Sequence, residues 1–198
     1  MKILDNITST VRDDLRVEIK KGSKVSIAAA CFSMYAYKEL KKQLEAVDEF
    51  RFIFTSPTFV KEKTEKQKRE FYIPRLSRET SLYGTEFEIK LRNEMTQRAI
   101  AKECADWIRE KAKFKSNTTG ENMAGFMTVD SGTAQTAYMP INGFTTVDIG
   151  CERGNNSYNM VNCMEAPFAQ QYMQLFDGLW NDREKMQDVT DVVLENIS

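Results

Sequence analysis

The chain has no histidine among its 198 residues, which excludes every mechanism that needs an imidazole as nucleophile, general base or metal ligand. Proline is scarce, and no apolar run approaches the roughly 18 residues of a membrane-spanning helix. The four cysteines show no CxxC spacing, which argues against a zinc site. Because the N-terminus lacks the apolar run of an export signal, we interpret them as reduced thiols. We therefore expect a cytoplasmic protein without a metal ion or other cofactor.

The composition is that of a globular protein, with 41% hydrophobic and 29% charged residues, and the length suits one domain. The net charge is −1, but the charges are unevenly distributed. Residues 61–115 carry 15 basic and 10 acidic side chains, whereas residues 116–198 carry 3 and 11. Such asymmetry can mark an anionic partner, or it can belong to two solvated helix faces. Both interpretations remain open at this point.

The best-defined pattern lies between residues 24 and 54. An apolar run at 25–32 predicts a buried strand, and Phe50–Phe54 predicts a second one. Ser33 can cap a helix between them, whose apolar stripe consists of Tyr37, Leu40, Leu44 and Val47. A strand, a helix and a strand in about thirty residues predict a parallel pair joined by a right-handed crossover.

The remaining elements follow from spacing and from turn residues. We expect a first helix at 11–19, a long helical pattern from about residue 85 that ends in a loop at 111–120, and a helix after Pro167. Three short strands are expected at 125–129, 135–139 and 144–149. The chain is interpreted as one α/β domain at 1–182 with a charged, exposed insertion at 58–84. A terminal helix at 183–198, with Asp182 as its cap, is expected to lead to a further domain.

Several stretches give the chain a resemblance to one repeat of the phospholipase D-like superfamily. Lys24–Ser33 resembles the first strand of that repeat, Ile141–Gly150 resembles a degenerate form of its glycine-rich turn, and Phe176–Trp180 resembles the aromatic end of its last helix. Phe52–Phe59 and Ile100–Ile108 resemble, more narrowly, the N-terminal phospholipase D-like domain of bacterial superfamily-two (Snf-type) helicases. The resemblance implies an α/β fold with a mixed β-sheet flanked by helices.

The chain departs from this superfamily in the residues that carry its chemistry. Active members use a histidine, a lysine two residues later and a more distant aspartate, and the histidine attacks phosphorus. The corresponding strand, near Phe126–Asp130, contains neither histidine nor lysine. The resemblance therefore implies a non-catalytic accessory domain of a DNA helicase or ATPase, which binds nucleic acid or mediates assembly. No phosphate-binding loop of a helicase motor is present in these residues.

Two sets of candidate binding residues follow. Basic side chains interleaved with aromatic residues could bind phosphates and stack bases, although a charged solvated helix is the alternative. These basic residues are Lys61, Lys63, Lys66, Lys68, Arg69, Arg109, Lys111, Lys113 and Lys115. The resemblance further implies a degenerate pocket at the ends of the strands, lined by Ser33, Thr55, Ser56, Thr128, Asn142, Thr145 and Thr146.

Two other functions remain as alternatives. One is an interaction module that pairs two copies of the chain without any role in nucleic-acid binding. The other is a Mg²⁺-dependent nuclease that uses Glu86, Glu88 and Lys90, because Glu-x-Lys is half of a known nuclease motif. The helical spacing around these residues disfavours the nuclease, since such enzymes place the motif on a strand. Cys31 is interpreted as a buried small side chain, because the chain offers no histidine to activate it.

Overall fold

A computed structural model describes residues 1–57, 86–153 and 160–197. In this part of the chain, an open mixed sheet of eight strands is combined with six helices. The strands are β1 (Lys2–Leu4), β2 (Lys24–Ala29), β3 (Glu49–Phe54), β4 (Ala112–Asn117), β5 (Phe126–Asp130), β6 (Gln135–Met139), β7 (Val161–Met164) and β8 (Met186–Asp188). The helices are α1 (Val11–Glu18), α2 (Met34–Glu39), α3 (Lys41–Glu45), α4 (Glu86–Lys111), α5 (Phe168–Trp180) and α6 (Thr190–Ile197).

The strands lie in the order β1-β7-β6-β5-β2-β3-β4-β8. The three neighbours β2, β3 and β4 are parallel to one another, and every other neighbouring pair is antiparallel. Parallel strands end at the same edge of a sheet, so the loops after β2, β3 and β4 meet there. The expected α/β class is confirmed, with a mixed sheet flanked by helices.

The predicted strand–helix–strand unit is confirmed. β2 pairs with β3 in parallel, with Lys24 opposite Glu49 and Ala29 opposite Phe54. The Ser33 hydroxyl accepts a hydrogen bond from the Tyr35 N–H at 3.1 Å, as expected of a helix cap. The crossover consists of two short helices, α2 and α3, because the helical conformation is interrupted at Leu40.

Most of the core lies on the face of the sheet covered by α1–α4 and α6. Six phenylalanines, each at most 2% exposed, form an aromatic cluster there: Phe32, Phe50, Phe52, Phe54, Phe114 and Phe144. Trp107 of α4 packs against Phe50 with a centroid distance of 4.8 Å, and its indole N–H donates to the Leu44 carbonyl at 2.8 Å. Helix α5 covers the opposite face, where Phe176 and Trp180 pack on Ile53 and Phe126.

Three expectations are wrong. Residues 144–149 form turns instead of a strand, because the Thr145 hydroxyl bonds locally to Asp148. Ala112–Asn117 is a strand, β4, although the lysine-rich stretch suggested the end of a helix followed by a loop. The last helix begins at Thr190, and Met186–Asp188 forms the edge strand β8 instead of a first helical turn.

The proposed charged insertion at 58–84 lies outside the described residues. The boundary at residue 182 and the link to a further domain remain predictions. Among the described residues, none of the helices combines the length and the apolar character needed to cross a lipid bilayer.

Candidate functional site: the strand-end surface

The loops after the parallel strands β2, β3 and β4, together with the loop after β6, form one surface, which we call the strand-end surface. Its residues are 30–33, 55–57, 118–125 and 140–148. The loop at 140–148 lies directly against the loop after β2. The Ala30 N–H donates to the Asn142 carbonyl at 2.9 Å, and the Ser33 N–H donates to the Phe144 carbonyl at 2.9 Å. The Phe144 N–H in turn donates to the Cys31 carbonyl at 2.8 Å. Backbone hydrogen bonds therefore fix this half of the surface.

Asn117, the last residue of β4, fixes the other half. It is fully buried, and its amide donates to the carbonyls of Thr55 at 2.9 Å and Glu121 at 3.2 Å. Its carbonyl oxygen accepts hydrogen bonds from the N–H of Thr119 at 3.0 Å and from the hydroxyl of that residue at 2.8 Å. These four bonds use the hydrogen-bonding capacity of the amide and join the loops after β3 and β4. The sequence analysis missed Asn117, whose only signal is a polar residue followed by Thr-Thr-Gly.

The hydroxyl groups on this surface are engaged in local hydrogen bonds. Ser33 caps α2. The Thr145 hydroxyl donates to the carboxylate of Asp148, and the Thr146 hydroxyl donates to the carboxylate of Glu152 at 2.5 Å. Each bond holds the turn in which it lies, and all three side chains are buried. We therefore assign these hydroxyls a role in shaping the loops.

Gly143 brings two reactive side chains close to the backbone of this loop. A Cβ atom at position 143 would lie 2.7 Å from the Cys31 Sγ and 2.8 Å from an Asp148 carboxylate oxygen. Both distances are shorter than a real Cβ contact, so only glycine fits without displacing a neighbour. Cys31 is half-buried here, whereas the sequence analysis expected it to be buried.

The structure brings together six of the seven predicted pocket residues. Ser33, Thr55, Ser56, Asn142, Thr145 and Thr146 lie on the strand-end surface. Thr128 does not. It lies in the middle of β5, opposite Ser26 and Ala137, and is 3% exposed. Its side chain therefore belongs to the interior under α5, several residues away from the strand ends.

The predicted basic residues do not form one free surface in the described part of the chain. Lys61, Lys63, Lys66, Lys68 and Arg69 lie outside the described residues. Among the others, Arg109 pairs with Asp106 at 3.1 Å, and the ammonium of Lys111 donates to the Val47 carbonyl at 2.8 Å.

The two lysines of β4 lie on the α5 face of the sheet. Lys113 is exposed. The Lys115 ammonium donates to the Trp180 carbonyl at 2.9 Å and lies 4.6 Å from the centroid of that indole ring. A lysine held by a carbonyl and an aromatic ring stabilises the helix packing and is less available to a phosphate.

The residues of the alternative nuclease motif lie in a helix. Glu86, Glu88 and Lys90 occupy the first turns of α4, as their spacing predicted, and not a strand. Within the described ranges, no group of three or more histidine, cysteine, aspartate or glutamate residues is arranged to hold a metal ion. The position of the motif in a helix is the observation that disfavours this alternative.

The remaining thiols are poor nucleophiles near neutral pH. Burial raises the pKa of the Cys104 thiol strongly. Burial and the nearby Asp14 carboxylate raise the pKa of Cys163 to about 12, and burial with the charge of Glu39 raises the pKa of Cys151 to about 11. All three thiols therefore stay protonated, whereas attack on an electrophile requires the thiolate.

Asp14 is the centre of a second polar group. The residue is 9% exposed. Its carboxylate accepts hydrogen bonds from the Tyr138 hydroxyl at 2.6 Å and from the Cys163 thiol at 3.5 Å. The Lys2 ammonium pairs with its other oxygen at 2.5 Å. These contacts join β1, α1, β6 and β7, so we assign this group a structural role.

Comparison with models of known protein families and with curated proteins gave no match for this chain.

Proposed function

We propose that this chain is a non-catalytic, phospholipase D-like module that binds nucleic acid as an accessory domain of a bacterial DNA helicase or related ATPase. The mixed α/β fold is compatible with this proposal. After β2, the crossover and β3 come the long helix α4, strand β4, the antiparallel strands β5, β6 and β7, and the aromatic helix α5. Of these elements, β4 was not expected from the sequence.

One observation carries the non-catalytic part of the proposal. At the strand-end surface, the hydroxyls of Ser33, Thr145 and Thr146 are each engaged in a local hydrogen bond. A hydroxyl or thiol nucleophile is activated by an adjacent general base, most often a histidine, and the sequence has none. The carboxylates that accept from Thr145 and Thr146 lie in the same turns and hold their conformation. The surface is therefore better suited to holding a ligand, or a neighbouring domain, than to cleaving a bond.

The charge distribution supports an anionic ligand. Residues 61–115 have a net charge of +5, and the basic residues at 61–69 alternate with acidic and neutral polar ones and are followed by Phe71 and Tyr72. Of the described candidates, Arg109, Lys111 and Lys115 already contact protein groups. We therefore assign most of the phosphate contacts to the residues at 61–69, with Lys113 as an additional contact.

A fluorescence anisotropy titration tests this proposal, with labelled single-stranded and duplex DNA at low and moderate salt. If about six phosphates are contacted, the affinity should fall about a thousandfold between 50 and 200 mM salt. The double substitution Lys66→Glu and Lys68→Glu should weaken binding at least about tenfold, because two attractive charges become repulsive.

The matched control is Lys20→Glu with Lys21→Glu, which changes the net charge equally on two exposed lysines elsewhere. This control should change the affinity by less than about threefold. Absence of binding at low salt, or equal losses for the two double variants, would contradict the proposal. DNA incubated with the chain and Mg²⁺ should be recovered intact, and degradation that is lost in Glu88→Ala would instead support the nuclease.

A further inference from the structure

Helix α5 exposes two large apolar side chains on its outward side. Phe168 is 51% exposed and Leu175 is 52% exposed, among glutamines that are also exposed. The one charged residue of the helix, Asp177, pairs with the Arg51 guanidinium at 2.9 Å. Large apolar side chains exposed on one side of a helix and surrounded by polar residues are typical of a contact surface.

The exposed side forms a defined stripe. Phe168, Gln171, Leu175 and Gly178 are spaced by three, four and three residues, which places them along one line of the helix. All four are exposed. A Cβ atom at Gly178 would have no atom of the described residues within 4 Å, so the stripe ends in an open gap. This spacing is typical of the narrow seam through which two helices pack.

We infer that this stripe is a self-association surface, at which α5 of one copy packs antiparallel on α5 of a second copy. The stripe is symmetric about the level of residue 173. When two such helices run antiparallel about that level, Phe168 of each copy faces Gly178 of the other. Leu175 likewise faces Gln171. The largest side chain thus meets the gap left by glycine, and this match occurs twice in one two-fold contact.

The absence of charged residues along the stripe indicates which kind of molecule binds to it. Nucleic acid would require cations, which the stripe lacks, so this surface is separate from the proposed nucleic-acid contacts. Two copies of an uncharged stripe meet without like-charge repulsion. A helix of thirteen residues is about 20 Å long, so the contact is smaller than a standard interface of about 1,600 Å². We therefore expect a weak, concentration-dependent dimer.

Sedimentation velocity on the complete chain without nucleic acid tests this inference. The chain should shift from monomer to dimer as its concentration rises from about 10 µM to about 1 mM. Two charge variants should prevent the shift: one with Gln171→Lys and Leu175→Lys, the other with Gln171→Glu and Leu175→Glu. In each variant, four like charges would meet at the two-fold axis, and dimerisation should weaken at least about tenfold.

Mixing the two charge variants distinguishes this contact from any other. Lysines of one chain would then face glutamates of the other, so the mixture should form a heterodimer although neither variant dimerises alone. A strict monomer at about 1 mM would overturn the inference. It would also be overturned by variants that still dimerise, or by two monomeric variants that do not associate when mixed, since α5 would then contact something other than itself.

A third variant guards against effects on folding. Gly178→Leu fills the gap that receives Phe168, and its Cβ atom would meet no atom of the described residues within 4 Å. The substitution should abolish the dimer while the circular dichroism spectrum and the melting temperature of the monomer are retained. A Gly178→Leu chain that dimerises as strongly as the unsubstituted chain would contradict the proposed pairing.

Discussion

On one face of the sheet, six phenylalanines are packed under five helices, and none of the six is more than 2% exposed. On the other face, a single helix covers strands that carry the charged side chains of Arg51 and Lys115. The first face is stabilised by apolar burial, which hardly responds to salt. The second adds cation–aromatic contacts and an ion pair, which do respond. The main core therefore specifies the fold, whereas the α5 face is where solution conditions can alter it.

The largest predicted effect tests the first face. Phe52 is fully buried, and its ring lies 4.8 Å from that of Phe54 and 5.5 Å from that of Phe114. Phe52→Ala should lower the free energy of unfolding by about 3–5 kcal/mol, because the cluster cannot close the cavity. A urea titration followed by circular dichroism measures the loss. Leu175→Ala on the exposed side of α5 is the control, with an expected change below about 0.5 kcal/mol.

The next effect tests the second face. The Arg51 guanidinium lies 4.8 Å from the Phe176 centroid, 2.9 Å from an Asp177 carboxylate oxygen and 3.0 Å from the Ser26 hydroxyl. Arg51→Met keeps the length of the side chain but removes these contacts, so it should cost about 1–3 kcal/mol of stability. The loss should shrink as salt is raised, since Asp177 is 56% exposed.

Lys113→Met provides the comparison for Arg51→Met. Lys113 lies on the same face but is exposed, so its substitution should leave the free energy of unfolding within about 0.5 kcal/mol of the unsubstituted value. Equal losses at positions 51 and 113 would show that net charge, and not the contacts of Arg51, stabilises this face.

The sequence was sufficient to predict an element where the spacing of its apolar residues and the length of the apolar segment indicated the same type of structure. The apolar run before Phe32 and the run Phe50–Phe54 could only be buried strands, and the stripe between them could only be a helix. The six predicted residues on the strand-end surface came from the resemblance. Three of them also follow predicted strands, since Thr55 and Ser56 come directly after β3 and Ser33 comes shortly after β2.

The errors have equally definite causes. β4 begins directly after α4, with no glycine or proline between them, so its alternation of lysine with apolar residues resembled a fraying helix. β1 and β8 have three residues each, too few for a period of two to be recognised. Thr128 was misplaced because its partner strands were unknown: only the register with Ser26 and Ala137 shows that it lies mid-strand. Non-local pairing of this kind leaves no signal in the local sequence.

Alkaline pH should lower the free energy of unfolding through the polar group around Asp14, which contacts Tyr138 of β6 and Cys163 of β7. Burial, aided by Asp14, raises the pKa of the Cys163 thiol from 9.0 to about 12. Because the folded state binds this proton more tightly than the unfolded state, the associated stability is complete below pH 9 and is lost as the pH rises toward 12. Between pH 8 and 10, the free energy of unfolding of Cys163→Ala should therefore fall by about 1 kcal/mol less than that of the unsubstituted chain.

Urea titrations at several pH values measure this difference in slope. Cys151→Ala is the comparison, since the pKa of Cys151 is raised less, to about 11. The two substitutions should have similar effects up to about pH 10, and Cys163→Ala should have the larger effect between about pH 10 and 12. Identical pH profiles for the unsubstituted chain and Cys163→Ala would show that this thiol is not held protonated by its surroundings.

The smallest predicted change in the free energy of unfolding concerns Gly178, on the exposed side of α5. The direction of this change is what tests the structure. Gly178 lies in a helix with no atom of the described residues near its missing Cβ, so Gly178→Ala should raise the free energy of unfolding by about 0.5–1 kcal/mol. Gly143→Ala should do the opposite, because its Cβ would lie 2.7 Å from Cys31 Sγ. Both values should be measured by urea titration at low protein concentration, where α5 is not paired. If Gly178→Ala is also destabilising in the monomer, the outer side of α5 is already covered by the chain itself, and the two faces of the sheet differ less than their described contacts indicate.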